Sequence, residues 1–161
     1  HLNAHLLLGA ALLELRDNAA AAEAFTAALK LDPNSVVALN RRGDAYLKLG
    51  RFADAVTDFD AQLALQPDFA PKHWRRGIAL YYAGKFADGA KQFKTHETDN
   101  PQDVENAVWH YLCTVKAADK ATARKGLIDV TADRRVPMRE VQALFAGTGT
   151  PDDVMKAAEA I

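Results

Sequence analysis

Hydrophobic residues recur with helical spacing along most of the chain. In segment 53–65 they are separated by one, three, four, seven or eight positions, which places them on one helical face. This face comprises Ala55, Val56, Phe59 and Leu63. The preceding segment 36–49 contains good helix formers and no proline, and Gly50 stands where that helix would end. The pattern predicts two helices joined by a short turn, and it recurs at 71–83 and 87–98.

The same residue types return every 34 positions, and the turn sequence GRFADA at 50–55 returns as GKFADG at 84–89. The residues in register are Gly9, Gly43 and Gly77, then Phe25, Phe59 and Phe93, then Pro33, Pro67 and Pro101. A fixed period of this length indicates stacked helix pairs. We predict a single domain, 1–161, made of three repeats, a degenerate fourth repeat and a C-terminal helical segment. Their bounds are 1–33, 34–67, 68–101, 102–132 and 133–161.

The glycines in register lie in the middle of predicted helices, where glycine costs about 1 kcal/mol relative to alanine. We expect that each one lets the phenylalanine 16 positions later approach the helix closely. Arginines precede two of these glycines, at Arg42 and Arg76. We expect both to be structural, with their stems packed and their guanidinium groups paired with acids such as Asp58 or Asp60.

Beyond residue 101 the repeat becomes irregular. Segment 104–117 is predicted to be helical, and 120–130 is predicted to be its partner helix. A short helix is predicted within 138–147. Thr150 is predicted to cap a last helix, because Pro151 suits the first helical position.

Composition excludes several classes of function. With a net charge of −1 and scattered Lys and Arg, the chain has no basic face, so we expect no nucleic-acid partner. No apolar run reaches membrane-spanning length, so we expect no integral membrane segment. Leu2 has no capping residue before it, and we expect the natural chain to begin further upstream.

The sequence contains none of the common catalytic motifs. There is no glycine-rich phosphate loop, zinc-protease helix or nucleophile elbow. His110 and Cys113 could share a helical face with a metal ion, but no second pair at ligand spacing accompanies them. We therefore expect no enzyme activity, no metal and no cofactor.

A 34-residue helix pair with these residues resembles the tetratricopeptide repeat (TPR). The second repeat carries the resemblance at Leu39, Gly43, Tyr46, Ala55, Phe59 and Pro67. The first repeat departs from it, with Arg16 and Asp17 at the turn in place of glycine. The resemblance implies an all-α TPR solenoid of stacked antiparallel helix pairs in a right-handed superhelix, with irregular short helices at the C-terminus.

The resemblance also implies that the first helix of each pair lines a concave groove that binds a protein or peptide partner. The predicted groove residues are Asn40, Arg41, Asp44, Leu47 and Lys48 from the second repeat, and Trp74, Arg75, Ile78, Tyr81 and Tyr82 from the third. The aromatic residues form a second apolar stripe on their helix. Two interpretations stay open: this stripe packs on neighbouring repeats, or it binds a partner. Some TPR proteins hold chaperone C-termini, but Leu6 and Ala10 cannot complete such a carboxylate clamp.

Residues 70–160 show a narrower resemblance, to bacterial cell-envelope TPR lipoproteins of the NlpI type. Trp109, Tyr111 and Leu112 match an aromatic motif of that family. The resemblance implies a non-catalytic adaptor, often a homodimer, in the bacterial envelope or periplasm; without it, a cytoplasmic location is the alternative.

The sequence thus predicts a non-enzymatic scaffold that binds a protein or peptide partner of unknown identity. The alternatives are a homodimerisation module, whose aromatic stripe contacts a second copy, and an accessory interaction region of a larger enzyme.

Overall fold

The computed structural model describes residues 1–160. These residues form ten α-helices and contain no β-strand, which confirms the predicted all-α class. The helices are α1 (Leu2–Glu14), α2 (Asn18–Leu31), α3 (Val36–Lys48), α4 (Phe52–Leu65), α5 (Trp74–Tyr82), α6 (Phe86–His96), α7 (Val104–Ala117), α8 (Lys120–Lys125), α9 (Met138–Ala146) and α10 (Pro151–Glu159). A 3₁₀ helix, Pro67–Lys72, precedes α5.

The described residues separate into two compact units, His1–Ala70 and the residues from Pro71 onward. The single domain over residues 1–161 that the sequence predicts stays a prediction. The last residue of that predicted domain, Ile161, lies outside the described residues.

The first unit consists of α1–α4, in which α1 packs on α2, α2 on α3 and α3 on α4. Its core alternates small and large residues: Ala21, Ala28, Ala38 and Ala45 are completely buried around Phe25. Small side chains bring the helices close enough for the large rings to fill the remaining space. Ser35 caps α3, its hydroxyl accepting a hydrogen bond from the Ala38 N–H.

Glycines and phenylalanines form matched contacts inside each unit, as the register predicts. A Cβ atom built on Gly43 would lie 2.5 Å from Cε1 of Phe59, and one on Gly77 would lie 2.6 Å from Cζ of Phe93. The same contact joins Gly9 to Phe25. Carbon atoms in ordinary contact are about 3.5–4.0 Å apart, so these positions accept no side chain without displacing the ring.

The turns of the three predicted repeats share a left-handed backbone. Gly50 has φ +74°, Gly84 has φ +76°, and Arg16 has φ +61° at the corresponding position of the first repeat. Left-handed backbone costs a residue with a Cβ atom roughly 1–2 kcal/mol, whereas glycine adopts it freely. The first turn therefore keeps the repeat's geometry with a strained arginine.

Replacing Arg16 by glycine is expected to raise the free energy of unfolding by about 0.5–1 kcal/mol. The relieved strain exceeds the extra conformational entropy that glycine gives the unfolded chain. Urea unfolding of the intact chain measures the change. Arg16→Ala is the control, because it removes the same exposed side chain and retains the strain. A gain of equal size in both variants would contradict this explanation.

Arg42 joins α3 to α4 through a bidentate ion pair. Its Nε donates to Oδ2 of Asp58 at 2.8 Å, and its Nη2 donates to Oδ1 at 2.7 Å. The hydrogen bond to Asp58 is the main reason why the pKa of Arg42 lies above its ordinary value. In the second unit, Arg76 donates to Oε1 of Gln92 at 2.9 Å. The predicted partner Asp58 is thus correct for Arg42, and Gln92 stands 34 residues after Asp58.

The second unit differs from the predicted pattern at its start. A helix was expected over 71–83, but α5 begins only at Trp74, and the residues before it form the 3₁₀ helix. Pro71 is the physical reason: it has no N–H to donate, and its ring disfavours helical backbone in the preceding residue.

The predicted helix over 120–130 is also wrong in length, since α8 ends at Lys125. Gly126 follows it, and a segment without regular secondary structure begins at Leu127. Ile128 and Val130 in that segment are buried against α7, so they contribute to the core without being helical. The side chain of Gln102 holds the segment by accepting hydrogen bonds from the N–H groups of Thr131 and Ala132.

The C-terminal helices agree with the sequence prediction. Thr150 and Asp153 form a capping box at the start of α10, with Pro151 in the first turn. Helix α9 packs on α7, where the rings of Phe145 and Tyr111 lie 5.1 Å apart, edge to face. These contacts complete the second unit around α7.

Candidate functional site

Helices α5 and α7 border a cavity of about 530 Å³ in the second unit. Its apolar wall is formed by Trp74, Ile78, Phe93 and Trp109. Its polar lining comprises Lys72, His96, Asp99, Asn100, Asp103, Glu105 and Asn106. A cavity of this size, in which an aromatic wall faces converging polar groups, is a candidate binding site.

An aromatic cluster stands beside this cavity. The Tyr81 ring contacts Trp109 at 5.4 Å, Tyr82 at 5.3 Å and Phe86 at 5.5 Å, in each case edge to face. Trp109 also stacks on Phe93 at 6.0 Å. Tyr81 therefore packs within the unit, and it holds the neighbouring rings in fixed positions.

Two other members of the predicted stripe are solvent-exposed. Trp74 is 45% exposed and Tyr82 is 53% exposed, whereas Ile78 is half-buried. The Arg75 guanidinium lies 5.3 Å from the centre of the Trp74 ring, a cation–π contact. The stripe thus divides between the two interpretations, with Tyr81 packed and with Trp74 and Tyr82 presented to solvent.

The predicted groove residues of the second repeat lie on α3, in the first unit. Arg41 is exposed and Asn40 is half-buried. Asp44 is buried, and its carboxylate lies 3.8 Å from the Lys48 ammonium. Their part in binding stays a prediction.

Sequence reasoning missed Trp109 as a site residue. Trp109 lies 34 positions after Arg75 and 68 after Arg41, which are both predicted groove positions. Extending the register into the irregular fourth repeat would have found it. Asn106 had no such indication, since its role depends on contacts that no spacing reveals.

Two buried polar side chains line the cavity. His96 is joined through Nδ1 to the carbonyl oxygen of Pro71 at 2.5 Å. Because a carbonyl only accepts, Nδ1 is the donor, and the neutral ring keeps Nε2 as an acceptor. Asn106 donates from Nδ2 to the carbonyl of Phe93 at 3.1 Å, while its Oδ1 has no hydrogen-bond partner.

The cavity's charged residues are mainly acidic. Asp99, Asp103 and Glu105 face one lysine, Lys72. Arg135 neutralises part of this charge, pairing with Asp103 at 2.7 Å and Glu105 at 3.6 Å. Arg135 also binds Asp133, and this contact is the main cause of the low pKa of the Asp133 carboxyl.

His110 and Cys113, which could share a helical face with a metal ion, both lie on α7. Burial raises the pKa of the Cys113 thiol to about 12, which leaves it protonated and unreactive at neutral pH. Burial also lowers the pKa of His110. Within residues 1–160, no group of three or more His, Cys, Asp or Glu side chains is arranged to hold a metal ion.

No helix among residues 1–160 combines the length and the apolar character needed to cross a bilayer.

Comparison with known proteins agrees with this architecture. Residues 4–73 match a family model described as a tetratricopeptide repeat. No curated protein sequence matches the chain.

The fold is found in solved structures of low sequence identity. MamA 41-end from Desulfovibrio magneticus RS-1 aligns with a TM-score of 0.70 and 24% identity, over 78% of this chain and 71% of that one. A MamA RS-1 ArsTM double mutant gives the same TM-score and identity, over 78% and 70%. A tetratricopeptide repeat protein from Parabacteroides merdae ATCC 43184 aligns with a TM-score of 0.72 and 17% identity, over 99% and 63%. The all-helical fold, the match over residues 4–73 and these structural likenesses together show a fold of the tetratricopeptide repeat type.

Proposed function

We propose that the chain is a non-catalytic adaptor that holds a protein or peptide partner at the aromatic cavity of α5 and α7. One observation carries the proposal: Trp74 and Tyr82 expose about half of their surface beside this cavity. Exposed aromatic groups next to a concave surface are typical of interaction sites, and Trp and Tyr are enriched among residues that dominate binding. The TPR-like fold supports a protein-interaction scaffold in general.

The packed members of the aromatic cluster make this site rigid. Trp109 is fixed between Tyr81 and Phe93, so one wall of the cavity exists before a partner arrives. A preformed wall lowers the entropy that binding must otherwise lose in ordering side chains.

The predicted groove residues of α3 are a separate part of the proposal, within the first unit. There Asn40 and Arg41 would offer polar contacts to a partner, and Asp44 would act through its pairing with Lys48.

Substituting Trp74 by alanine is expected to lower partner affinity by roughly 2 kcal/mol, because a central aromatic contact is lost. The probe is a peptide selected from a random library against the intact chain, and fluorescence anisotropy measures its affinity. Since the ring is 45% exposed, the melting temperature is expected to change little. Tyr82→Ala is expected to behave in the same way, with a smaller loss.

Met155→Ala is the matched control, since Met155 on α10 is also a large exposed side chain of the second unit. It should leave both affinity and melting temperature unchanged. The proposal fails if Trp74→Ala and Tyr82→Ala both lower stability strongly while affinity, corrected for the folded fraction, does not change. The two side chains would then serve packing alone.

A second copy of the chain is the alternative occupant of this surface. Light scattering separates the two cases: a dimer that Tyr82→Ala dissociates would indicate self-association in place of a peptide site. A role as the accessory interaction region of a larger enzyme is compatible with the same surface, and an activity that depends on Trp74 would reveal it.

The resemblance of residues 70–160 to envelope lipoproteins of the NlpI type stays a prediction. It would make the partner an envelope protein.

A further inference from the structure

We infer that the cavity between α5 and α7 receives an arginine side chain of the bound partner. The inference rests on the proposed function, in which this cavity binds a protein or peptide. It adds the chemistry that the partner must present, through three features of the cavity: its aromatic wall, its buried acceptors and its excess of carboxylates.

The wall suits the long stem and flat head of arginine. Trp74, Ile78 and Trp109 offer apolar surface to the methylene groups, and indole rings attract a guanidinium placed over their faces. Trp74 already makes this contact with Arg75 within the chain, at 5.3 Å. The wall alone would also suit an apolar side chain, so the polar lining decides between them.

The buried polar lining lacks a hydrogen-bond donor. Asn106 is 3% exposed, and its Nδ2 is committed to the Phe93 carbonyl. Its Oδ1 is consequently a buried acceptor without a partner, which is unfavourable in the free protein. His96 adds Nε2 as an acceptor in its neutral form, because its Nδ1 donates to Pro71. A guanidinium has five N–H donors and no acceptor, and it therefore complements these groups.

The charge around the cavity favours a cation. Asp99 is exposed and forms no ion pair within residues 1–160, so its carboxylate can bind a partner. Glu105 is only loosely held, 3.6 Å from Arg135, whose closer contacts are with Asp103 and Asp133. Lys72 is the one lysine or arginine that lines the cavity among the described residues. An acidic side chain would meet more repulsion than attraction here.

Both tryptophans of the chain line this cavity, so their indole N–H signals can detect binding there. The intact ¹⁵N-labelled chain is titrated with blocked tetrapeptides that are identical except for one residue: arginine, citrulline or glutamate. Citrulline has nearly the shape of arginine without its charge. We expect the arginine peptide to shift both indole N–H signals and the side-chain amide signal of Asn106. The citrulline peptide should bind about five- to tenfold more weakly, because charge-assisted hydrogen bonds are lost.

Two isosteric variants test the carboxylates. Asp99→Asn and Glu105→Gln should each weaken binding of the arginine peptide by about two- to fivefold, with little effect on the citrulline peptide. Asp129→Asn is the control, because Asp129 is an exposed carboxylate of the same unit that does not line the cavity. It should leave the titration unchanged.

Equal binding of the arginine and citrulline peptides, tighter binding of the glutamate peptide, or no indole shift at millimolar arginine peptide would each overturn the inference. Peptides selected from the library distinguish failure of the arginine inference from failure of the proposed function. Selected peptides that shift the indole signals but contain no arginine would leave the proposed function standing and refute the inference. If no selected peptide shifts these signals, both are refuted.

Discussion

Replacing Gly77 by leucine is expected to lower the free energy of unfolding by about 3 kcal/mol, the upper end of the usual range for an overpacked core. The first carbon of the new side chain would lie 2.6–2.9 Å from three atoms of the Phe93 ring. Phe93 is 1% exposed and stacks on Trp109, so the ring cannot move into solvent. Helix propensity alone predicts a gain of about 1 kcal/mol, so the sign of the effect separates the two explanations. Urea unfolding provides the measurement.

Ala87→Leu is the control for this substitution, because Ala87 is an exposed position of α6 where leucine meets no ring. It should change stability by less than about 0.5 kcal/mol. A double-mutant cycle with Gly77→Ala and Phe93→Leu extends the test. The smaller residue at 93 should recover part of the loss caused by alanine at 77, since the two positions occupy the same space. An additive double mutant would show that steric conflict with Phe93 is not the cause.

Asp58→Ala is expected to cost about 3 kcal/mol of stability, because it leaves the Arg42 guanidinium partly buried and without its counter-ion. The carboxylate side chain is 4% exposed and that of Arg42 is 20% exposed. Arg42 would retain its hydrogen bond to the Thr26 hydroxyl, at 3.1 Å, and its cation–π contact with Tyr46, at 5.7 Å, but no counter-ion at hydrogen-bond distance among residues 1–160. Thermal and urea unfolding of the intact chain both report the change.

The same helix offers a matched control in Asp54, which pairs with Arg51 at 2.8 Å where both side chains are about half exposed. Asp54→Ala should cost no more than about 1 kcal/mol, since solvent screens an exposed pair. Losses of the same size from both substitutions would contradict the argument from burial. The double variant Arg42→Met with Asp58→Leu should regain most of the stability, because apolar residues of similar volume avoid the desolvation of two charges.

The sequence by itself determined the repeat and its turns. The recurrence of a glycine and a phenylalanine 16 positions apart, every 34 residues, predicted the contact between Gly43 and Phe59. The same period put Gly50 and Gly84 at turns that need a left-handed residue. These features depend on local backbone chemistry and on one packing rule repeated along the chain. For the same reason the cap at Thr150 could be predicted from its immediate neighbours.

Where local preference and tertiary packing compete, the sequence prediction was wrong. Segment 120–130 has helix-forming residues, yet Ile128 and Val130 are buried in a non-helical segment. Gln102 holds its end by hydrogen bonds to Thr131 and Ala132, which lie 29 and 30 residues further along the chain. No periodicity indicates such a contact. Helix α5 is also shorter than predicted, because Pro71 lies within a 3₁₀ helix.

The candidate site was likewise predictable only in part from the sequence. Helical spacing placed Trp74, Ile78, Tyr81 and Tyr82 on one stripe, but it could not tell which of them would be packed. Only the tertiary structure decided this, because the environment of each ring depends on where α7 places Trp109. The unpaired Oδ1 of Asn106 follows from one long-range hydrogen bond, to the carbonyl of Phe93. Spacing thus fixes which side chains share a helical face, whereas packing between helices fixes which of their atoms remain available to a partner.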